Sequence, residues 1–171
     1  MRKTTKHITF YCVDNDVLDL DFFRENFNPE LNYTLFTFNS VQMFMNKLKN
    51  DVKDKSFKIV IVDNIVTSRG MNTKTALELL PPIKSIDPDI QVVIFADSEN
   101  IELKATSSKV KPAAFIKKDS QYFVRLYPLI ARLISEYELK KKMNSSKSAT
   151  FLVLGVFAIA AILFGLGYFF Y

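Results

Sequence analysis

An aspartate closes the most strand-like run in the chain, Phe57-Lys58-Ile59-Val60-Ile61-Val62-Asp63. Four consecutive β-branched residues between a lysine and an acid read as a short strand buried on both faces, which belongs at the centre of a parallel sheet. Asp63 then stands at the carboxyl end of that strand, where open α/β sheets bind their ligands. A second acid, Asp14, follows the apolar run His7 to Val13, and Lys118 follows the run Ala113 to Lys117. Two carboxylates converging on one crevice suit a hard divalent cation, above all Mg²⁺, held by oxygen ligands and water. A lysine in the same crevice neutralises an anion. Together they suit a phosphoryl group: cation and lysine stabilise charge on the transferring oxygens while one carboxylate attacks phosphorus. Any one of the three alone would read as a strand-terminal charge in solvent.

Five strand–helix repeats are needed to bring these residues together. His7–Val13 is the first strand, and helical spacing follows through Val17, Leu20, Phe23 and Phe27 until Asn28-Pro29. Leu31–Phe38 is a second strand, and Asn39 or Ser40 caps a helix burying Val41, Phe44, Met45 and Leu48. The charged run Lys49–Lys58 reads as a solvated turn, and Thr67–Thr73 beyond Asp63 as a polar loop. A helix through Ala76, Leu79, Leu80 and Ile83 meets Pro81-Pro82, which predicts a distorted or split last half. Ile90–Phe95 is a fourth strand, Glu99–Ser108 a weak polar helix and Ala113–Lys117 a fifth strand. Pro128 places the start of the main final helix near Tyr127, with Ser120–Leu126 as a separate turn and Ile130, Leu133, Ile134 and Tyr137 as the buried face.

Strands alternating with helices predict a parallel α/β sheet covered on both faces. For five such units the flavodoxin-like (βα)5 order 2-1-3-4-5 is the common solution, and it makes Asp14 and Asp63 neighbours at the switch point.

The chain has 171 residues, 49% hydrophobic and 24% charged, enough for one domain and a small addition. The hydrophobicity is concentrated at the end. Ala149–Tyr171 carries no charged side chain, and as a helix it would be about 34 Å long against a bilayer core of about 30 Å. It reads as a single transmembrane anchor. Lys140, Lys141, Lys142 and Lys147 precede it, so the positive-inside rule keeps the preceding domain cytoplasmic and makes the protein tail-anchored. The expected division is a domain over 1–142, a linker over 143–148 and the span over 149–171. Ala161 and Gly165 form a small-xxx-small pair suited to helix association and hence to a homodimer. Cys12 is the sole cysteine, which excludes an internal disulfide and reads as a buried filler. The net charge of +5 is spread among acids without a basic stripe, so nucleic acid is not an expected partner.

Residues 7 to about 138 resemble the receiver domain of two-component response regulators. The resemblance rests on Cys-Val-Asp-Asn-Asp at 12–16, Ile-Val-Ile-Val-Asp at 59–63, Met-Asn-Thr at 71–73, the run from Ala76 through Pro81-Pro82 to Phe95, and Ala-Phe-Ile-Lys-Lys-Asp at 114–119. It implies that Asp63 is the phosphoacceptor, Lys118 the phosphoryl-contacting lysine, Phe115 the switch aromatic, and Asp14 a Mg²⁺ ligand, with the main-chain carbonyl of Ile65 completing the metal site. It also implies a histidine kinase or phosphotransfer protein as partner. The chain departs from the family in two places. Asn15 stands where a second acid is usual, and a neutral amide ligand should weaken cation binding. Ala96 falls where the family has a hydroxyl, which removes one hydrogen bond to the phosphoryl group and the partner that draws the aromatic inward. Asp16 is one position out of phase, and Ser98 is the nearest substitute hydroxyl.

The expected function is a membrane-tethered single-domain response regulator that accepts a phosphoryl group on Asp63, acts through protein contacts and is not an enzyme on free substrates. The rival is a phosphorylation-independent pseudo-receiver serving as an interaction module at the membrane. A flavin protein would need a phosphate-cradling loop after the first strand, and the acids there repel phosphate. A haloacid-dehalogenase-type hydrolase would fit the spacing of Asp14 and Asp16 but lacks its cap insertion and late partner acids.

Overall fold

The computed structural model describes residues 7–27, 33–67, 73–96 and 110–143. The chain divides into two compact units, Met1–Leu129 and Ile130–Tyr171. Among the described residues of the first, the elements run in the order β1 (Ile8–Val13), α1 (Val17–Asn26), β2 (Tyr33–Phe38), α2 (Val41–Asn50), a short 3-10 turn (Asp51–Lys53), β3 (Phe57–Asp63), β4 (Ile65–Thr67), β5 (Thr73–Thr75), α3 (Ala76–Ile86), β6 (Gln91–Ala96) and β7 (Ala114–Lys117). Residues 122–129 are also helical. In the second unit, residues 130–143 are helical, with Ile130 and Leu133 buried.

β2, β1, β3, β6 and β7 pair in that order into one sheet, and every pairing is parallel. Counting sheet strands alone, this is the expected order 2-1-3-4-5, a flavodoxin-like arrangement. Burial of β3 on both faces follows from its central place. Ile59, Val60, Ile61 and Val62 are all fully buried.

The two-residue period of the strands sends alternate side chains into two cores. Tyr11, Val13, Val60, Val62, Val92 and Ile94 pack with Val41, Phe44 and Leu48 of α2 and with Ala76, Leu79, Leu80 and Ile83 of α3. On the opposite face, Phe10 and Phe95 meet Phe27 and Phe23 at the α1 side, and Phe95 meets Tyr122. Phe44 has no exposed surface and packs edge-on to Tyr11, so Phe44→Ala should destabilise the fold by about 3–5 kcal/mol in a denaturant titration.

Several expectations are corrected here. Pro81 and Pro82 do not split α3, which runs unbroken from Ala76 to Ile86. A capping box between Thr75 and Glu78 fixes its first turn, and the buried stripe Ala76, Leu79, Leu80 and Ile83 holds it down while Pro81 stays exposed. The final segment is helical from 122 rather than from near Tyr127. Asp119 starts it: its side chain accepts from the Gln121 N–H at 2.9 Å and its carbonyl from the Tyr122 N–H at 3.0 Å.

Lys58 is not part of a solvated turn. It is buried and donates to Asp87 at 3.0 Å and to the carbonyl of Asp54 at 2.7 Å. β4 and β5 pair as a two-stranded antiparallel ribbon on either side of the expected polar loop, whose residues 68–72 lie outside the described residues. Among the described residues no helix is long and apolar enough to cross a membrane, and the predicted span 149–171 lies outside them, as do the expected helix 99–108 and Ser98.

Candidate functional site

Strand register builds the site. Val13 pairs with Val62, Asp63 with Phe95, and Ala96 with Lys117, so Asp14, Asp63, Ala96 and Lys118 all emerge at the carboxyl edge of the sheet. The Lys118 N–H donates to the Ala96 carbonyl at 3.2 Å, and the Asp14 N–H to Phe38 at 3.1 Å. The backbone thus fixes two of the three charged residues before their side chains meet.

The Lys118 ammonium is the hub. It lies 2.8 Å from Asp14 Oδ2, 2.7 Å from Asp19 Oδ2 and 3.7 Å from Asp63 Oδ1. The predicted trio of Asp14, Asp63 and Lys118 is therefore assembled in one place. Burial works to lower the Lys118 pKa, but hydrogen bonds to Asp14 and Asp19 and the charge of Asp63 outweigh it and hold the ammonium well above the usual lysine range. A folded value above the unfolded one contributes stability that is fully present below about pH 10.4 and is lost only as pH rises through the raised value. The bridge is intact across the neutral range.

Asp14 is buried and doubly satisfied, since its other oxygen accepts from the Asp16 N–H at 2.8 Å. Asp16 meets Asp14 through its main chain alone. Its side chain accepts from the Leu18 N–H at 2.9 Å and caps α1. Asn15 is exposed, and its Nδ2 donates to the Ile65 carbonyl at 2.9 Å across 50 residues of sequence. The Ala76 N–H donates to the Asn64 carbonyl at 2.8 Å, and the Thr75 N–H donates to the Glu78 side chain at 3.3 Å.

Phe115 is partly buried against the α2–α3 core and Ala96 is buried. Both predicted switch positions therefore lie inside the described fold, Ala96 at the carboxyl end of β6 and Phe115 paired with Ile94 two positions before it. Asp119 sits outside the hub, where Arg125 holds its carboxyl below the usual carboxylate range through a 2.6 Å contact.

Sequence spacing does not single out Asp19. One signal was present: Asp19 lies four residues before the buried Phe23 and so shares a helix face with a core residue. Tyr122 stands nearby. Burial and then the charge of Asp19 push its hydroxyl up to about 12, with Lys118 acting in the opposite sense.

The proposed metal ligands fit a hard cation. Asp14 and Asp63 converge on one ammonium, and Asn15 Nδ2 donates to the Ile65 carbonyl, so two carboxylates and a main-chain oxygen lie at one edge with an amide whose Oδ1 would serve as the ligand. Asp19 meets the Lys118 ammonium at 2.7 Å, and among the described residues no three His, Cys, Asp or Glu side chains form a ligand set.

No protein-family model and no curated protein sequence matches the chain. Solved structures do. Full-length FixJ from B. japonicum is 21% identical with a TM-score of 0.59, covering 82% of this chain and 63% of that one. NtrX from Brucella abortus in complex with ATP is 22% identical with a TM-score of 0.60, covering 82% of this chain and 29% of that one. The beryllofluoride-activated NtrC4 receiver domain dimer is 16% identical with a TM-score of 0.54, covering 73% of this chain and 98% of that one. The chain thus spans less than two thirds of FixJ and of NtrX and nearly all of the NtrC4 receiver domain. Its fold is that of response regulator receiver domains.

Proposed function

We propose that this chain is a membrane-tethered receiver that accepts a phosphoryl group on Asp63 from a histidine kinase or phosphotransfer protein and acts through protein contacts. The observation that carries the reading is the single ammonium of Lys118 reaching both Asp14 and Asp63 at the carboxyl edge of the sheet. In the transfer, a carboxylate oxygen of Asp63 attacks phosphorus. The phosphorus–nitrogen bond of the phosphohistidine breaks as the acyl phosphate forms, and the departing imidazole nitrogen keeps the electron pair and takes a proton from solvent. Lys118 supports the charge that builds on the phosphoryl oxygens. Asp14, Asn15, Asp63 and the Ile65 carbonyl would hold Mg²⁺, which supplies further charge neutralisation when bound.

Incubating the full chain with a small acyl phosphate, with and without Mg²⁺, and reading intact mass tests the proposal. Gain of one phosphoryl group that depends on Mg²⁺ is expected. An unmodified mass under conditions that label an ordinary receiver would leave the alternative, a phosphorylation-independent interaction module. That second reading is favoured by the methyl group of Ala96, which offers the pocket no hydroxyl. The membrane tether rests on the charge-free run 149–171 and the lysines before it. Deleting 149–171 should move the protein from the membrane pellet to the supernatant, and a truncated chain that still sediments with membranes would contradict the anchor.

A further inference from the structure

We propose that the last turn of the 130–143 helix is a lipid-binding surface: Leu139 and Met143 enter the headgroup layer of the bilayer, and Lys141 and Lys142 bind its anionic phosphates. The proposal rests on the reading of 149–171 as a membrane anchor, which brings the helix to that layer.

Helical spacing carries it. Ile130 and Leu133 are buried, and at about 100° per residue Leu139 and Met143 fall on the other side of the helix, about 40° from each other. Both are 60% exposed, and every residue from Glu138 to Met143 is exposed. The same outward line begins one turn and more earlier at Arg132, whose guanidinium meets Glu136 at 3.5 Å. A helix face turned to water ordinarily continues with such charges. Here it changes to two large apolar side chains at the end that leads toward the charge-free run.

Charge agrees with this placement. From Leu139 to Tyr171 the sequence has four lysines and no acid, while Glu136 and Glu138 lie on the side further from the run. Lys140 has an interaction of its own within the chain and is not needed for the surface. Six residue steps separate Met143 from Ala149, a reach of at most about 20 Å, so the end of the helix is held beside the headgroups. There the lysine stems can lie along apolar surface while their ammonium groups meet phosphate. The carbonyl end of the helix is itself partly negative, and the lysines offset the repulsion it would have for anionic lipid.

The test uses the full chain carrying Cys12→Ala and Met143→Cys, so that one thiol at position 143 holds an environment-sensitive dye. The protein is reconstituted into vesicles of phosphatidylcholine alone and of equal parts phosphatidylcholine and phosphatidylglycerol. Flotation on a density gradient reads the anchor, and quenching of the dye by a spin label on the lipid headgroups reads the surface contact. The chain should float with both kinds of vesicle, and quenching should be stronger with phosphatidylglycerol. A lysine beside an anionic surface shifts the balance of bound to free helix about fivefold, so Lys141→Gln and Lys142→Gln should each lower that balance by this factor. Leu139→Gln should weaken quenching in both kinds of vesicle, which a contact made by charge alone would not show. A chain that floats only with phosphatidylglycerol removes the anchor and leaves the lipid-binding surface standing. Quenching that ignores lipid charge and both lysine changes overturns the inference with the anchor intact, as does quenching that Leu139→Gln leaves unchanged. A chain that floats with neither vesicle overturns both.

Discussion

Asp63→Asn should abolish phosphoryl labelling, lowering the rate by about three orders of magnitude or more, because a neutral amide oxygen is a far weaker nucleophile than a carboxylate. The fold should survive the change. Asn is nearly the same size, and of the three acids around Lys118 Asp63 lies furthest from the ammonium, at 3.7 Å against 2.8 Å for Asp14 and 2.7 Å for Asp19. Its removal leaves Lys118 with two carboxylates and leaves the buried Asp14 paired. Intact mass after incubation with an acyl phosphate reads the first effect, and a melting curve shifted by only a few degrees reads the second. Label persisting at the native rate would place the acceptor elsewhere and remove the proposed function.

Asn15→Asp should have the next largest effect, with opposite signs in the absence and presence of Mg²⁺. Without the cation, a carboxylate cannot donate to the Ile65 carbonyl, so the 2.9 Å hydrogen bond joining the end of β1 to the β4–β5 ribbon is lost. The cost is about 1 kcal/mol for the bond, with added repulsion between two oxygens that now face each other. With Mg²⁺, the added negative charge beside Asp14 and Asp63 should tighten binding about tenfold. At saturating cation that gain returns about 1.4 kcal/mol to the folded state. Melting followed across a Mg²⁺ titration should therefore show a variant that starts below the native chain and rises more steeply. A variant whose melting temperature does not respond to Mg²⁺ would exclude residue 15 from a cation site.

Much of the sheet was legible in the residues because both periodicities are local. Ile59–Val62 could only be a central strand, and Val41, Phe44 and Leu48 could only be one face of a helix; both are buried as their spacing requires. Pro81, Pro82 and Pro128 misled for a reason that is also local. A proline removes one helical hydrogen bond, but whether a helix ends there depends on what its other face buries, and for α3 four core side chains outweigh two prolines. Lys58 misled in the same way. A charge in a run of charges reads as solvated until Asp87, 29 residues later, is packed beside it.

The sequence by itself determined the kinds of charge at the strand ends and the succession of strands and helices that carries them to one edge. Tertiary structure alone decided how those charges share a single ammonium. Asp19 reaches Lys118 only because α1 docks with a particular rotation about its axis, and Asn15 meets Ile65 only because β4 and β5 pair into a ribbon. Neither outcome is encoded in nearby spacing. Each depends on contacts between segments far apart in the chain, whose relative phase is fixed only when the cores on both faces of the sheet close.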